Sequence, residues 1–168
     1  MINDVFAAAS KGDTTKLKGL LEMNPLFSNR ENDDGMTPLG YAAHYGQANA
    51  VQLLLEHGAD VNALSHSKIS YIPSNTALHA AIAGEREMEV IKMLLAHDAK
   101  TDIFDSNGHT SLHSAAFHDD QIELIDLLIE HGADIQAKAE GGITALTLAE
   151  EKGNSKVAAR LIEKGAIE

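Results

Sequence analysis

The fold is decided by a stretch that begins with Thr-Ser-Leu-His at residues 110–113 and closes with Leu-Leu-Ile-Glu-His-Gly-Ala-Asp at residues 127–134. Both halves recur along the chain. The threonine, with leucine two residues later, returns at three places: Thr37, Thr76 and Thr144. The second motif returns in recognisable form at residues 53–60, 93–100 and 161–166. The threonines are spaced by 39, 34 and 34 residues, which indicates an internal repeat.

Each copy predicts a tight turn, a short helix, a second helix and an extended loop. Glycine stands two residues before three of the threonines, where a turn favours positive φ: Gly35, Gly108 and Gly142. The threonine can cap the first helix, and Pro38 suits a first helical position. The second helices carry apolar stripes at helical spacing: Val51, Leu54 and Leu55; Ile91, Leu94 and Leu95; Ile122, Ile125, Leu128 and Ile129.

These motifs resemble the ankyrin repeat, a unit of about 33 residues that carries a Thr-Pro-Leu-His-x-Ala signature. The resemblance covers nearly the whole chain and implies an all-α ankyrin-repeat solenoid with short β-turn hairpin loops and about five units including caps. We expect a single domain over 1–168. Its predicted parts are an N-terminal cap 1–34, repeats 35–73, 74–107 and 108–140, and a C-terminal cap 141–168.

One repeat departs from the regular spacing. The 39-residue interval between Thr37 and Thr76 places an insertion near Leu64 to Pro73, and we expect this hairpin loop to stand out from the stack. In another repeat, Asp98 replaces the glycine that ends the second helix elsewhere.

Composition excludes several classes of function. The chain has a net charge of −12, which argues against binding to nucleic acid or to an anionic membrane surface. The absence of cysteine removes disulfides and thiolate metal sites. No signal-peptide core or run of about 18 apolar residues is present, so a cytoplasmic location is expected.

Nine histidines raise the question of a metal site. Three share one position of the repeat: His57, His97 and His131. Stacked layers lie about 8–10 Å apart, whereas zinc needs imidazole nitrogens at about 2.0–2.1 Å. We expect these rings beside helix C-terminal carbonyls instead. A second group of histidines is close in sequence: His109, His113 and His118. In the ankyrin geometry the side chains of these three residues point in different directions. We therefore predict no metal and no cofactor.

Aromatic residues indicate where a partner would bind. By repeat register, four of the seven fall on turns or at the outward end of a first helix: Tyr45, Tyr71, Phe104 and Phe117. An alternative is that Phe104 and Phe117 pack inward. The resemblance implies that a partner binds in the concave groove, at the variable positions of the family. These are Met36, His44, Tyr45, Tyr71, Ile72, Ala83, His109, Phe117 and His118.

The leading functional prediction is a non-catalytic protein–protein interaction module, an adaptor or scaffold that binds a basic or neutral protein. No nucleophile elbow, zinc-binding His-Glu-x-x-His, phosphate-binding loop or EF-hand spacing is present, so we do not expect an enzyme. Two alternatives remain. One is a regulatory inhibitor subunit that masks an enzyme, and the other is a histidine-based metal-binding protein.

Overall fold

The computed structural model describes residues 1–85 and 87–167, and this part of the chain contains ten α-helices and no β-strand. In chain order the helices are α1 (Ile2–Lys11), α2 (Thr14–Met23), α3 (Pro38–His44), α4 (Ala48–Glu56), α5 (Ala77–Ala83), α6 (Met88–Ala96), α7 (Ser111–His118), α8 (Ile122–Glu130), α9 (Ala145–Lys152) and α10 (Ser155–Glu163). Short 3₁₀ helices cover Pro25–Ser28 and Glu140–Gly142.

The chain divides into two compact units, Met1–Ala99 and Lys100–Glu168. Unit 1 contains α1 to α6, and unit 2 contains α7 to α10. Each is described below by itself. The prediction that all 168 residues form one domain stays a prediction.

Unit 1 is built from two layers of helices. The first helices of its repeats pack in the order α1, α3, α5, and the second helices in the order α2, α4, α6. Alanines on the first helices, such as Ala42 and Ala81, are fully buried and allow neighbouring helices to approach closely. Leu54 and Leu94 fill the space between the layers with no exposed surface. Burial of such side chains is the main stabilising contribution of the stack.

Unit 2 repeats this arrangement, with α7 packed on α9 and α8 packed on α10. Leu124, Ile125 and Leu128 of α8 are buried as a stripe. The assignment of Ile122 to the same stripe was wrong, because its side chain is 36% exposed. Ile122 is the first residue of α8, where the helix emerges from its neighbours.

Threonine caps begin the first helices as the repeat predicted. The hydroxyl oxygens of Thr37 and Thr144 accept hydrogen bonds from the amides of Gly40 (3.0 Å) and Thr147 (3.2 Å). Thr76 and Thr110 cap α5 and α7 in the same way. Each cap satisfies a backbone donor that the helix itself leaves unpaired.

The second helices α4, α6 and α8 are followed by a left-handed residue. Gly58 and Gly132 have φ angles of 82° and 89°. Asp98 occupies the equivalent position of α6 and is the non-glycine residue with positive φ in the described part of the chain, at 65°. A side chain in this conformation is strained relative to glycine.

The insertion was expected to stand out from the stack, and its base does not. The amides of His66 and Lys68 donate to the carbonyls of Gly35 (2.9 Å) and Asp34 (3.0 Å). The base of the loop therefore lies against the turn that precedes α3, which we call the first turn. Tyr71, at the tip of the loop, is 83% exposed. Backbone pairing of this kind leaves no side-chain pattern in the sequence.

Candidate functional site

Three aromatic rings form a chain along one side of α3. The Phe6 and Tyr41 ring centroids lie 5.2 Å apart, and those of Tyr41 and Tyr45 lie 5.3 Å apart, both in edge-to-face contact. The imidazole of His44 meets the Tyr45 ring at 5.1 Å. Phe6 is buried in the core, whereas Tyr45 is 41% exposed. The aromatic chain therefore extends from the core of unit 1 to solvent, and its outer end is held by packing.

Acidic side chains border this aromatic chain. An ideal Cβ on Gly46 would lie 2.6 Å from Glu87 Cγ and 3.2 Å from Glu85 Cβ, so both exposed glutamates pack against the backbone that follows Tyr45. At Tyr41, burial raises the pKa of the phenol, and the neighbouring Tyr45 and the negative charge of Asp34 raise it further. The exposed end of α3 is therefore aromatic, and the two glutamates pack beside it.

The backbone that follows Ala83 lies beside His44. The amide of Glu85 donates to the His44 carbonyl at 2.9 Å. A Cβ on Gly84 would fall 2.1 Å from the same carbonyl oxygen, so only glycine fits there. The structure thus brings His44 and Tyr45 together at the end of α3, and Ala83 is the last residue of α5, next to the Gly84 that packs on His44.

The other predicted residues of unit 1 belong to its turn and its inserted loop. The backbone of half-buried Met36 pairs with Asn32 across the first turn, at 2.9 and 3.1 Å. The amide of Ile72 donates to Ile69 within the loop at 3.1 Å, and Tyr71 stands at the exposed tip. Hydrogen bonds of their backbone groups position Met36 in the turn and Ile72 in the loop.

Unit 2 holds the remaining predicted residues. Phe117 is 37% exposed and meets the ring of His118 edge to face at 5.1 Å. The ammonium of Lys152, on α9, lies 4.2 Å above the Phe117 ring centroid. The ring of His109 stacks on His113 at 5.7 Å. The inward alternative for Phe104 and Phe117 was wrong, because Phe104 is also exposed, at 46%.

The histidines at the signature position of the repeat, His79 and His113, have a structural role. His113 Nδ1 lies 2.8 Å from Thr110 Oγ1, and its Nε2 lies 3.1 Å from the Ile143 carbonyl in the next repeat. His79 Nδ1 makes the same 2.8 Å contact with Thr76. Both imidazoles are buried, at 1% and 3% exposure. Their ring nitrogens bond within the fold.

The histidines at the ends of the second helices also bond to backbone. The Nδ1 atoms of His57, His97 and His131 lie 2.8, 2.9 and 2.9 Å from the carbonyl oxygens four residues earlier. Each imidazole therefore satisfies a carbonyl near a helix C-terminus, as predicted. Among residues 1–85 and 87–167, no group of three or more His, Asp or Glu side chains is arranged to hold a metal ion.

Sequence reasoning missed the residues that surround the aromatic ends. Glu85 and Glu87 were not identified because their approach to Gly46 comes from the following repeat. Lys152 was not identified because its contact with Phe117 crosses 35 positions of sequence.

Within the described ranges, no helix is both long and apolar enough to span a membrane.

The fold and the repeat register agree with the comparison to known proteins. A family model of three ankyrin repeats matches residues 5–65 and 63–139. The chain belongs to the ankyrin-repeat family, and the predicted all-α ankyrin-repeat solenoid is confirmed. Ankyrin repeats are generally protein–protein interaction modules, and the family is typically non-catalytic.

Three curated relatives illustrate the similarity. Rat ankyrin repeat and SAM domain-containing protein 6 is 36% identical over 107 residues, which is 63% of this chain and 11% of that protein. Human inversin is 34% identical over 99 residues, 59% of this chain and 9% of inversin. The human NAD-capped RNA hydrolase NUDT12 is 34% identical over 82 residues, 49% of this chain and 16% of the hydrolase. The chain thus matches only a small part of each relative's length.

Proposed function

We propose that this chain is a non-catalytic adaptor that binds a protein partner through the first-helix ends and turns of its repeats. The observation that carries the proposal is the aromatic chain from Phe6 through Tyr41 to Tyr45, which ends in an exposed ring. Tyrosine is enriched in binding hot spots because it offers a large, rigid contact area with a polar end. The second tyrosine anchor in unit 1 is Tyr71, at the tip of the inserted loop.

Rigidity supports binding by these residues. Tyr45 already packs against Tyr41 and His44 before any partner arrives. Little side-chain entropy is then lost when it is covered, and this loss is one of the main costs of association. The proposed site in unit 2 has a similar anchor in Phe117, which is held by His118 and Lys152.

Charge defines the class of partner within this proposal. With a net charge of −12, the chain attracts basic or neutral proteins and repels nucleic acids and anionic lipids. The carboxylate of Asp34 acts on Tyr41, and Glu85 and Glu87 pack against Gly46 beside Tyr45. The proposal includes a cytoplasmic location and no cofactor.

To test this proposal, the immobilised full chain is used to capture a partner from native lysate. The affinity of the chain for the purified partner is then measured by calorimetry. Tyr45→Ala and Tyr71→Ala are each expected to weaken binding by about 1 kcal/mol or more. The melting temperature should change little, because both side chains are substantially exposed.

Gln52→Lys provides the matched control. Gln52 lies on α4, a second helix, and its side-chain amide donates to Glu56 on the same helix at 2.7 Å. Binding by this variant should equal that of the wild type. If Gln52→Lys abolishes binding while both tyrosine variants bind normally, the second-helix side is the site and the proposal is wrong.

A further inference from the structure

The turn that precedes α7 in unit 2 is closed by Asp105. The amide of Gly108 donates to the Asp105 carbonyl at 2.9 Å. One carboxylate oxygen of Asp105 accepts from the amides of Asn107 and His109, both at 2.9 Å. Gly108 has a φ of 78°, a left-handed conformation that glycine adopts at low cost. Asp105 therefore holds the turn through its main chain and its side chain together.

Asn107 has the sequence context of a reactive amide, because it is the only asparagine of the chain that glycine follows. The side-chain carbonyl carbon of an asparagine can be attacked by the main-chain nitrogen of the next residue, and glycine hinders this attack least because it has no Cβ. The Asn107 side chain is exposed. By contrast, Asn29 and Asn154 donate their side-chain amides to main-chain carbonyls across the repeats, both at 2.8 Å.

The first turn, in unit 1, has aspartate where the unit 2 turn has Asn107. Asp34 and Asn107 each stand three residues before the capping threonine of their repeat. The side-chain oxygen of Asn32 accepts from the amides of Asp34 and Met36 at 3.1 and 2.9 Å, as Asp105 does in unit 2. The same turn geometry thus accepts aspartate at the position of Asn107.

The two turns differ in what covers them. A Cβ added to Gly35 would collide with the His66 carbonyl, because the base of the inserted loop packs on the first turn. For a Cβ on Gly108, the nearest atom is the Glu140 nitrogen at 3.8 Å, an ordinary contact distance. The unit 2 turn can therefore open with less displacement of its surroundings than the first turn.

We propose that Asn107 is a site of spontaneous deamidation, which occurs when the turn closed by Asp105 opens. The Gly108 main-chain nitrogen loses its proton and bonds to the side-chain carbonyl carbon of Asn107, and the amide nitrogen leaves with that proton as ammonia. Water then opens the succinimide ring. Its attack on the side-chain carbonyl gives aspartate, and its attack on the main-chain carbonyl gives isoaspartate.

The modification changes the charge of the unit 2 turn. The aspartate product repeats the arrangement of Asp34 and adds a negative charge two residues from His109. Isoaspartate instead lengthens the main chain by one methylene group, and the hydrogen bonds closed by Asp105 no longer fit. This inference does not depend on the proposed protein-binding function.

The experiment incubates the full chain at neutral and at mildly alkaline pH and follows every asparagine by peptide mass spectrometry after digestion at acidic pH. An isoaspartate methyltransferase assay detects the second product. We expect Asn107 to convert faster than every other asparagine, and faster at the higher pH because the attacking nitrogen must lose its proton. Conversion no faster at Asn107 than at the other asparagines would overturn the proposal.

Substitutions at Asp105 test whether the closed turn limits the reaction. Asp105→Ala removes the acceptor of two amides, and Asn107 should then convert about five-fold faster or more. Asp105→Asn keeps an acceptor oxygen, as Asn32 provides in the first turn, and should convert at about the wild-type rate. Equal rates for Asp105→Ala and the wild type would contradict the role of Asp105.

Asp34→Asn supplies a matched control, because it creates a second Asn-Gly pair in the turn that the inserted loop covers. In the folded protein the new amide should convert more slowly than Asn107, whereas in urea the two sites should convert at similar rates. Equal rates in the folded protein would exclude control by opening of the turn. Asn107→Asp should keep the wild-type melting temperature, and a clear decrease would contradict the fit of the aspartate product.

Discussion

His113 Nε2 lies 3.1 Å from the carbonyl oxygen of Ile143, thirty residues further along the chain. The Nε2–H group donates to this carbonyl, and Nδ1 accepts from the backbone amide of Thr110 at 3.2 Å. The imidazole is therefore neutral, with its proton on Nε2. One ring both completes the cap of α7 and ties two repeats of unit 2 together.

The stability of the protein should fall as pH drops below the ordinary histidine pKa of 6.5 because of His113. Burial lowers the pKa of this group, although the Ile143 carbonyl partly opposes the shift. The unfolded chain then binds a proton more readily than the folded one. This contribution to stability is complete above pH 6.5 and is lost progressively as pH falls toward the lowered folded-state value. Urea unfolding between pH 8 and pH 5 measures it.

His113→Gln should remove this part of the pH dependence, while His131→Gln should retain it because His113 is intact. His131 is exposed and lies in the same unit, so the two variants differ mainly in the buried ring. Equal slopes of unfolding free energy against pH for His113→Gln and the wild type would contradict the assignment.

Asp120 caps a helix of the next repeat. Its Oδ1 accepts a hydrogen bond from the amide of Val157 at 2.9 Å, while Asn154, the residue before α10, donates its side-chain amide to Ala116 at 2.8 Å. We expect Asp120→Ala to cost about 1 kcal/mol, the usual cost of a lost cap. Asp120→Asn keeps an acceptor oxygen and should cost much less. Chemical denaturation of both variants tests the pair, and equal losses would exclude the capping role.

Asp98→Gly should stabilise the protein. Asp98 has a φ of 65°, whereas Gly58 and Gly132 occupy the same position in other repeats. Relief of the left-handed strain is expected to raise the free energy of unfolding by about 0.5–1 kcal/mol, net of the greater freedom of glycine in the unfolded chain. The reverse change, Gly132→Asp, should destabilise. An unchanged or lower melting temperature for Asp98→Gly would show that the strain is negligible.

Substitutions at Leu128 and Thr110 allow the contributions of burial and capping to the stability of unit 2 to be compared. Leu128 is fully buried, and Leu128→Ala should cost about 2–5 kcal/mol through the cavity it leaves. Thr110→Ala should cost about 1 kcal/mol through the lost cap of α7. Thermal melts rank the two, and a larger loss for the threonine variant would mean that the buried stripe of α8 is misassigned.

Local signals explain why so much of the fold could be predicted from the sequence. The threonine caps and the glycine ends act within three or four residues, so their register alone places each helix. The exposure of Ile122 could not be predicted in this way. Its spacing fits the buried stripe, but burial also depends on whether a neighbouring helix reaches that first turn.

In the candidate site, too, features set by local sequence could be predicted, whereas contacts from a neighbouring repeat could not. Repeat register correctly predicted that Tyr45, Tyr71 and Phe117 are exposed, because their positions face away from the helix pairs. The groups that surround the aromatic rings could not be predicted from the sequence. Glu85 approaches Gly46 from the next repeat, and Lys152 reaches Phe117 in the same way. Contacts between repeats depend on how successive repeats stack, which no short motif encodes.

The base of the inserted loop is attached in part through main-chain groups, because the amides of His66 and Lys68 donate to the carbonyls of Gly35 and Asp34. Nearly every amino acid carries the same amide and carbonyl, so this part of the attachment is insensitive to the identity of the side chains. The contacts that depend on side chains, from His66 to Glu31 at 2.7 Å and from the Lys68 ammonium to the Asp33 carbonyl at 2.9 Å, also involve the base and not residues 69–72. Residues 69–72 at the tip can therefore be replaced while the loop keeps its place. In a lineage of such proteins, or in a protein library, the sequence of this tip can therefore diversify without selection having to rebuild the scaffold beneath it, and under the proposed function this would vary the partner recognised.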